Sequence, residues 1–267
     1  MRYTNFYPSS GLYHVSLPLL MGTRLDVLMF GDDKQQLEGV WDVTEAELKR
    51  LEKMLNRFDD DSEVAKVNSD AQFSSVQLSD ELWAIVQDCY RYYEMTDGCF
   101  DVTLSDFGKV TMMEESHSIS FDKYGLLLDF GGYAKGYALK CVRQYLDKAG
   151  VKRALVNFGN SSVLAMGTHP YGDSWPIGIE DPFTGAAMMT INLCDTSMSV
   201  SGNTPSHKQH IVSKDTSGLV AGDVMVAVAC DDPVDAEVLT TAWIASGKDE
   251  MPDWVEKFNL KNTYKIR

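Results

Sequence analysis

The chain sorts its apolar and polar residues into blocks that predict its elements. Residues 13–31, YHVSLPLLMGTRLDVLMFG, read as two strands joined at Met21-Gly22-Thr23, where Gly22 can supply the positive φ of a tight reversal. A helix is expected to begin near Thr44. Thr44 and Glu47 fit a T-x-x-E capping box, and Leu48, Leu51, Leu55 and Phe58 share one face. A second helix is expected from Ser79, with acids in its first turn, an apolar stripe of Trp83, Val86 and Tyr90, and Gly98 after its end.

Residues 117–130 read as a strand pair, and the stretch LDFGGYAKGYALK, 128–140, begins as a strand and ends as a helix. That third helix is expected from about Tyr133 to Ala149, closed by Gly150. The runs RALVNFGNSSVLAMG, WPIGIEDP, MMTINLCDTSMSVSG and VMVAVAC are apolar or β-branched and punctuated by Gly, Pro and Asn, as strands are. A fourth helix opens at Asp232-Pro233 and stops before Gly247, and a short amphipathic helix is expected near residues 252–259. Strands come in adjacent groups with long helices between them. This predicts an α+β fold with antiparallel sheets and inserted helices rather than regular βαβ alternation. No repeat, low-complexity tract or linker divides the chain, so residues 1–267 are expected to form one domain.

Charge narrows the range of partners. The chain carries 24 basic and 39 acidic residues, a net charge of -15. Such a surface repels nucleic acid, and any phosphate must be held locally by backbone N–H groups, a lone cation or a metal ion. Cys89, Cys99, Cys141, Cys194 and Cys230 are odd in number and form no CxxC pair, so buried free thiols are expected. No apolar run approaches the ~18 residues of a membrane span. The start, MRYTNFYPSSGLYHVSLPLL, lacks a signal-peptide pattern. The expected compartment is the cytoplasm, or the exterior or periplasm if a leader has been removed.

Four places could carry chemistry. The glycines of GGYAKG, with Lys135, stand at a helix mouth where unpaired N–H groups favour anions, yet the same glycines could serve only close strand–helix packing. Glu237 and Thr241 lie four residues apart on one helix face, as hard oxygen donors for Mg²⁺ would; the alternative is a solvated Glu beside a Thr bonded to its own helix. His210 is either a base or a structural hydrogen-bonder. Asp97, Asp101 and Thr103 cluster around Gly98, which turn chemistry alone can explain.

Nine segments in one order, from residue 21 to 247, resemble the ApbE family of FAD:protein FMN transferases. MGTRLDV resembles the family's opening M-G-T, and NRFDDDSEVAKVN its D-S-E segment. TDGCFDVT is similar to S-D-G-A-F-D-P-T, and LDFGGYAKGYALK to L-D-L-G-G-I-A-K-G-Y-A. RALVNFGNSSVLAMG resembles L-V-N-A-G-G-D, and WPIGIEDP resembles W-R-I-G-I-E-D-P. MSVSGN and HIVSKDTSG resemble T-S-G-D and H-I-I-D-P-x-T-G, and AEVLTTAWIASG resembles A-D-A-L-S-T-A-L-F-x-L-G.

The resemblance implies an ApbE-like, T-fold-like α+β domain that binds FAD with Mg²⁺. It implies transfer of FMN from FAD to a Thr or Ser hydroxyl of a target flavoprotein, releasing AMP. It places Met21, Phe58, Cys99, Phe100, Asp101, Gly131, Tyr137 and Ile211 along the flavin or nucleotide. It assigns the metal to Glu237, Thr241 and the Ala134 carbonyl, and makes His210 the catalytic histidine. Four departures stand out. The metal-site Asp is Glu237; G-G-D becomes Gly159-Asn160-Ser161; the Asp of S-G-D is Asn203; and the H-I-I-D-P-x-T-G segment is one residue longer and lacks its Pro. A non-catalytic FAD-binding protein and a metal-dependent FAD pyrophosphatase giving FMN and AMP are the alternatives.

Overall fold

The computed structural model describes residues 2–203, 211–216 and 218–266. The chain opens with β1 (Tyr3–Tyr7), β2 (Leu12–Leu20) and β3 (Thr23–Phe30). Met21 and Gly22 turn β2 into β3 with φ of 48° and 77°, so both central residues are left-handed, as two-residue hairpins prefer. There follow α1 (Lys34–Leu55), α2 (Glu63–Asp70), β4 (Val76–Gln77), α3 (Asp80–Met95), β5 (Val110–Met113), β6 (Ser118–Phe121) and α4 (Ala134–Lys148). The second half comprises β7 (Arg153–Phe158), β8 (Ser162–Met166), β9 (Trp175–Glu180), β10 (Ala187–Leu193), β11 (Thr196–Asn203), β12 (Val224–Cys230), α5 (Pro233–Ala245) and β13 (Leu260–Ile266).

Eight strands form one antiparallel sheet in the order β1-β2-β3-β7-β8-β11-β12-β13. Helices α1 to α4 and the small β4-β6-β5 sheet enter between β3 and β7; the β9–β10 hairpin enters between β8 and β11, and α5 between β12 and β13. Helices α1 and α4 pack on the β1–β8 half through Leu37, Trp41, Leu48, Leu139 and Val142. Helix α5 lies against β11 and β12 beside α4. The hairpin closes over the opposite face of the sheet through Trp175, Ile179 and Ile191. No described helix is long and apolar enough to cross a membrane.

Several elements differ from expectation for physical reasons. Helix α1 begins at Lys34, not near Thr44. Asp33 caps it by accepting from the N–H groups of Gln35 and Gln36, and Leu37 and Trp41 carry the apolar stripe upstream. Thr44 is mid-helix, and its hydroxyl donates to the Val40 carbonyl. Phe58 lies beyond the helix and is 78% exposed. Residues 122–130 form no strand; the partners of β6 are β4 and β5, both upstream. The short helix near 252–259 is one 3₁₀ turn, Asp253–Lys257. Helices α3, α4 and α5 start and stop where Ser79, Tyr133, Gly150 and Asp232-Pro233 predict. The five cysteines are free thiols: Cys89, Cys99 and Cys230 are buried, Cys141 is half-buried, and Cys194 is exposed rather than buried.

Candidate active site

A cleft of about 1490 Å³ opens between the β2–β3 turn, the 97–105 loop, the 129–132 bend, β9 and α5. Pockets for drug-sized ligands hold roughly 300–1,000 Å³, so this cleft accommodates a larger molecule. Both signs of charge reach its wall, including Asp101, Asp129, Glu180, Glu237, Lys135 and Lys214.

The buried polar side chain on the cleft wall is Glu237, 2% exposed, on the first turns of α5. Its two oxygens have separate partners. Oε2 accepts from the Ser162 hydroxyl at 2.5 Å and the Ser199 hydroxyl at 2.9 Å. Oε1 pairs with Lys135 Nζ at 2.5 Å. A chain of hydroxyls backs the clamp: Thr240 Oγ1 lies 2.8 Å from Ser201 Oγ and donates to the Glu237 carbonyl at 3.0 Å. Ser199 and Ser201 are two residues apart on β11, hence on one face, the one that meets α5. One turn later Thr241 lines the cleft and donates its hydroxyl proton to the Glu237 carbonyl at 3.2 Å. The solvated-glutamate alternative is therefore set aside, while the Thr241 back-bond is present.

The glycine-rich bend meets this centre directly. A Cβ on Gly132 would stand 3.2 Å from the Thr241 side chain, so the bend and α5 touch. Gly131 N–H donates to Asp129 Oδ1 at 2.8 Å, and Arg57 pairs with Asp129 Oδ2 at 2.6 Å, fixing the bend from the other side. Helix α4 starts at Ala134 without a side-chain cap. Gly136 serves packing instead: a Cβ there would lie 2.6 Å from the Pro233 carbonyl oxygen.

The cleft brings together Met21, Phe58, Cys99, Phe100, Asp101, Gly131, Ile211, Glu237 and Thr241. Phe58 sits at the lip with the Arg57 guanidinium 4.2 Å above its ring. Cys99 is buried, which pushes its thiol pKa up. Asp101 is a loop staple: its carboxylate accepts from Thr103 N–H and Oγ1 at 2.7 Å and from Phe107 N–H at 3.1 Å. Burial raises its pKa despite those bonds. Tyr137 is not brought to the cleft; it stacks on Tyr133 and donates to Glu81 at 3.1 Å. The Ala134 side chain packs into the core rather than lining the cleft. His210 lies outside the described residues.

Two departures acquire structural roles. The Asn203 amide donates to the carbonyls of Gly222 at 2.6 Å and Val220 at 3.2 Å, which an aspartate cannot do. Ser161 Oγ donates to the Val200 carbonyl at 3.0 Å, tying the β7–β8 turn to β11. Sequence reasoning missed Ser162, Ser199 and Arg57. The signal was present for the first two, since serines at inward positions of apolar strands require a polar partner.

Known proteins share the sequence pattern and the fold. Over 270 residues the chain is 23% identical to an FAD:protein FMN transferase of Klebsiella pneumoniae, covering 87% of this chain and 82% of that one. It is 24% identical over 255 residues to the one from Treponema pallidum, covering 76% and 70%. The flavin transferase ApbE from Vibrio cholerae superposes with a TM-score of 0.81 at 19% identity, covering 96% of this chain and 97% of that one. The apo flavinyl transferase ApbE of Pseudomonas stutzeri gives 0.80 at 21% identity, covering 99% and 95%. The ApbE family model matches residues 21–264, nearly the whole length, and the chain belongs to the ApbE family.

Proposed function

We propose that the protein is an Mg²⁺-dependent FAD:protein FMN transferase. In the reaction a Thr or Ser hydroxyl of a target flavoprotein attacks the phosphorus on the FMN side of the diphosphate. A phosphorus–oxygen bond forms to the acceptor, the bridging bond breaks, AMP leaves, and the acceptor proton passes to a base. The observation that carries this reading is the buried Glu237, whose free-facing oxygen already holds a cation beside the glycine bend.

The donor set fits a hard divalent ion. Glu237 Oε1 stands in a cation contact, and the Thr241 hydroxyl gives its proton to the helix and keeps its lone pairs. The resemblance adds the Ala134 carbonyl. Bound there, Mg²⁺ would offset the charge that builds on the diphosphate oxygens of an otherwise acidic protein. The chain's own residues do the rest. Phe58, backed by Arg57, offers an aromatic face at the lip, and Met21 and Phe100 supply apolar wall. The Arg57–Asp129–Gly131 contacts hold the bend still beside Thr241. His210 is proposed as the base, from the resemblance.

The test is AMP release from FAD in the presence of an acceptor domain. Release should need both Mg²⁺ and the acceptor hydroxyl and stop on chelation. Release that continues without an acceptor would favour the pyrophosphatase. Saturable FAD binding with no release would favour a binding protein.

A further inference from the structure

We infer that Lys135 and the divalent metal compete for one oxygen of Glu237, and that the diphosphate of the dinucleotide settles the competition by drawing Lys135 away. The inference rests on the reading of Glu237 as a metal ligand for FAD chemistry. It adds an ordered coupling between the two ligands.

The carboxylate has only one oxygen to give. Ser162 from β8 and Ser199 from β11 both donate to Oε2, and Ser199 is itself tied into the hydroxyl chain of Thr240 and Ser201. Turning the carboxylate would leave buried hydroxyls without an acceptor, so Oε1 is the oxygen that meets the cleft. That oxygen holds the Lys135 ammonium at 2.5 Å. A carboxylate 2% exposed needs a cation, and Lys135 is the basic residue paired with it.

Among the described residues, the ammonium has one short contact, Glu237. Its further hydrogen bond is a long one, 3.5 Å, to the Gly131 carbonyl in the glycine bend. The lysine side chain is 19% exposed at the cleft wall and ends a flexible stem. A dinucleotide diphosphate in the cleft offers it charge-assisted bonds to phosphate oxygens. The swap then exposes Oε1 to the metal. Without the diphosphate, a metal must evict the ammonium while offering it no new anion. Binding of each ligand therefore favours the other by the same factor.

Equilibrium titration of the full chain with Mg²⁺, with and without FAD, tests this. In the wild type, FAD should tighten Mg²⁺ binding by about tenfold or more, within the ~5–150-fold range of typical couplings. Lys135→Met leaves a buried carboxylate short of a cation, so Mg²⁺ alone should bind about tenfold tighter and the coupling should shrink by about the same factor, leaving only the direct attraction between metal and diphosphate. Lys135→Arg keeps the charge and should keep weak Mg²⁺ binding in the absence of FAD. Wild-type coupling below about threefold would overturn the inference whatever the variants do. So would a folded Lys135→Met that binds Mg²⁺ alone no tighter than the wild type while still binding FAD; the transferase reading would then stand. FAD that fails to bind the wild type with or without Mg²⁺ would remove both.

Discussion

Gly136 of α4 passes so close to Pro233 of α5 that a Cβ on it would stand 2.6 Å from the Pro233 carbonyl oxygen and 2.9 Å from the Glu237 Cβ. The contact sets the spacing between the helix that carries Lys135 and the helix that carries Glu237. Gly136→Ala should therefore destabilise the protein by about 1–3 kcal/mol through overpacking, despite alanine's higher helix propensity. Gly39, in the middle of α1, is the internal control, because a Cβ there meets nothing within 4 Å. Gly39→Ala should stabilise by roughly 0.5–1 kcal/mol. Urea unfolding of both variants checks the opposite signs; equal signs would mean that the α4–α5 contact is not tight.

Glu237→Ala has two separable consequences. It removes the proposed metal ligand, so Mg²⁺-dependent AMP release should vanish. It also strands the Lys135 ammonium and the Ser162 and Ser199 hydroxyls, so stability should fall by about 3 kcal/mol, the low end for breaking a buried pair. Activity and urea unfolding on one preparation check both. Full activity with the stability loss would leave Glu237 a purely structural residue.

The Tyr92–Asp235 bond ties α3 to α5 at 2.6 Å and gives a pH test. Burial raises the Asp235 pKa, and the Tyr92 hydroxyl works against that rise. A raised carboxylate contributes stability below its unfolded pKa that is lost as pH climbs through the folded value. Tyr92→Phe raises the folded value further, so its penalty falls on the ionised form. The variant should lose about 1–3 kcal/mol at pH 7 and distinctly less near pH 3, below the ordinary aspartate pKa, where the carboxyl is largely protonated whether folded or unfolded. Chemical unfolding at the two pH values measures this. Equal losses would mean that the hydroxyl does not stabilise the carboxylate.

Much of the scaffold was legible wherever local chemistry marks a boundary. Ser79, Gly150 and Asp232-Pro233 announced α3, α4 and α5, and the Met21-Gly22 turn announced the first hairpin. The start of α1 misled because Thr44 and Glu47 mimic a capping box inside a longer stripe that Asp33 opens. Strand β13, LKNTYKI, was missed because it is a mostly polar edge strand whose stability comes from pairing with β12. At the site, spacing put Glu237 and Thr241 on one helix face but left open a solvated pair; the resemblance gave them the metal. The serine clamp could not, since Ser162 and Ser199 reach Glu237 from 75 and 38 residues away and only the sheet brings them together. Tyr137, which the resemblance places along the flavin or nucleotide, stacks on Tyr133 and donates to Glu81.

The intact mass of a flavinylation-competent acceptor domain, after incubation with this protein, FAD and Mg²⁺, tests the transferase reading most directly. The acceptor should gain one FMN, and the gain should disappear with chelator, with an acceptor whose Thr or Ser hydroxyl is removed, and with Glu237→Ala. An acceptor of unchanged mass, whether FAD stays intact or is split into free FMN and AMP, would contradict it.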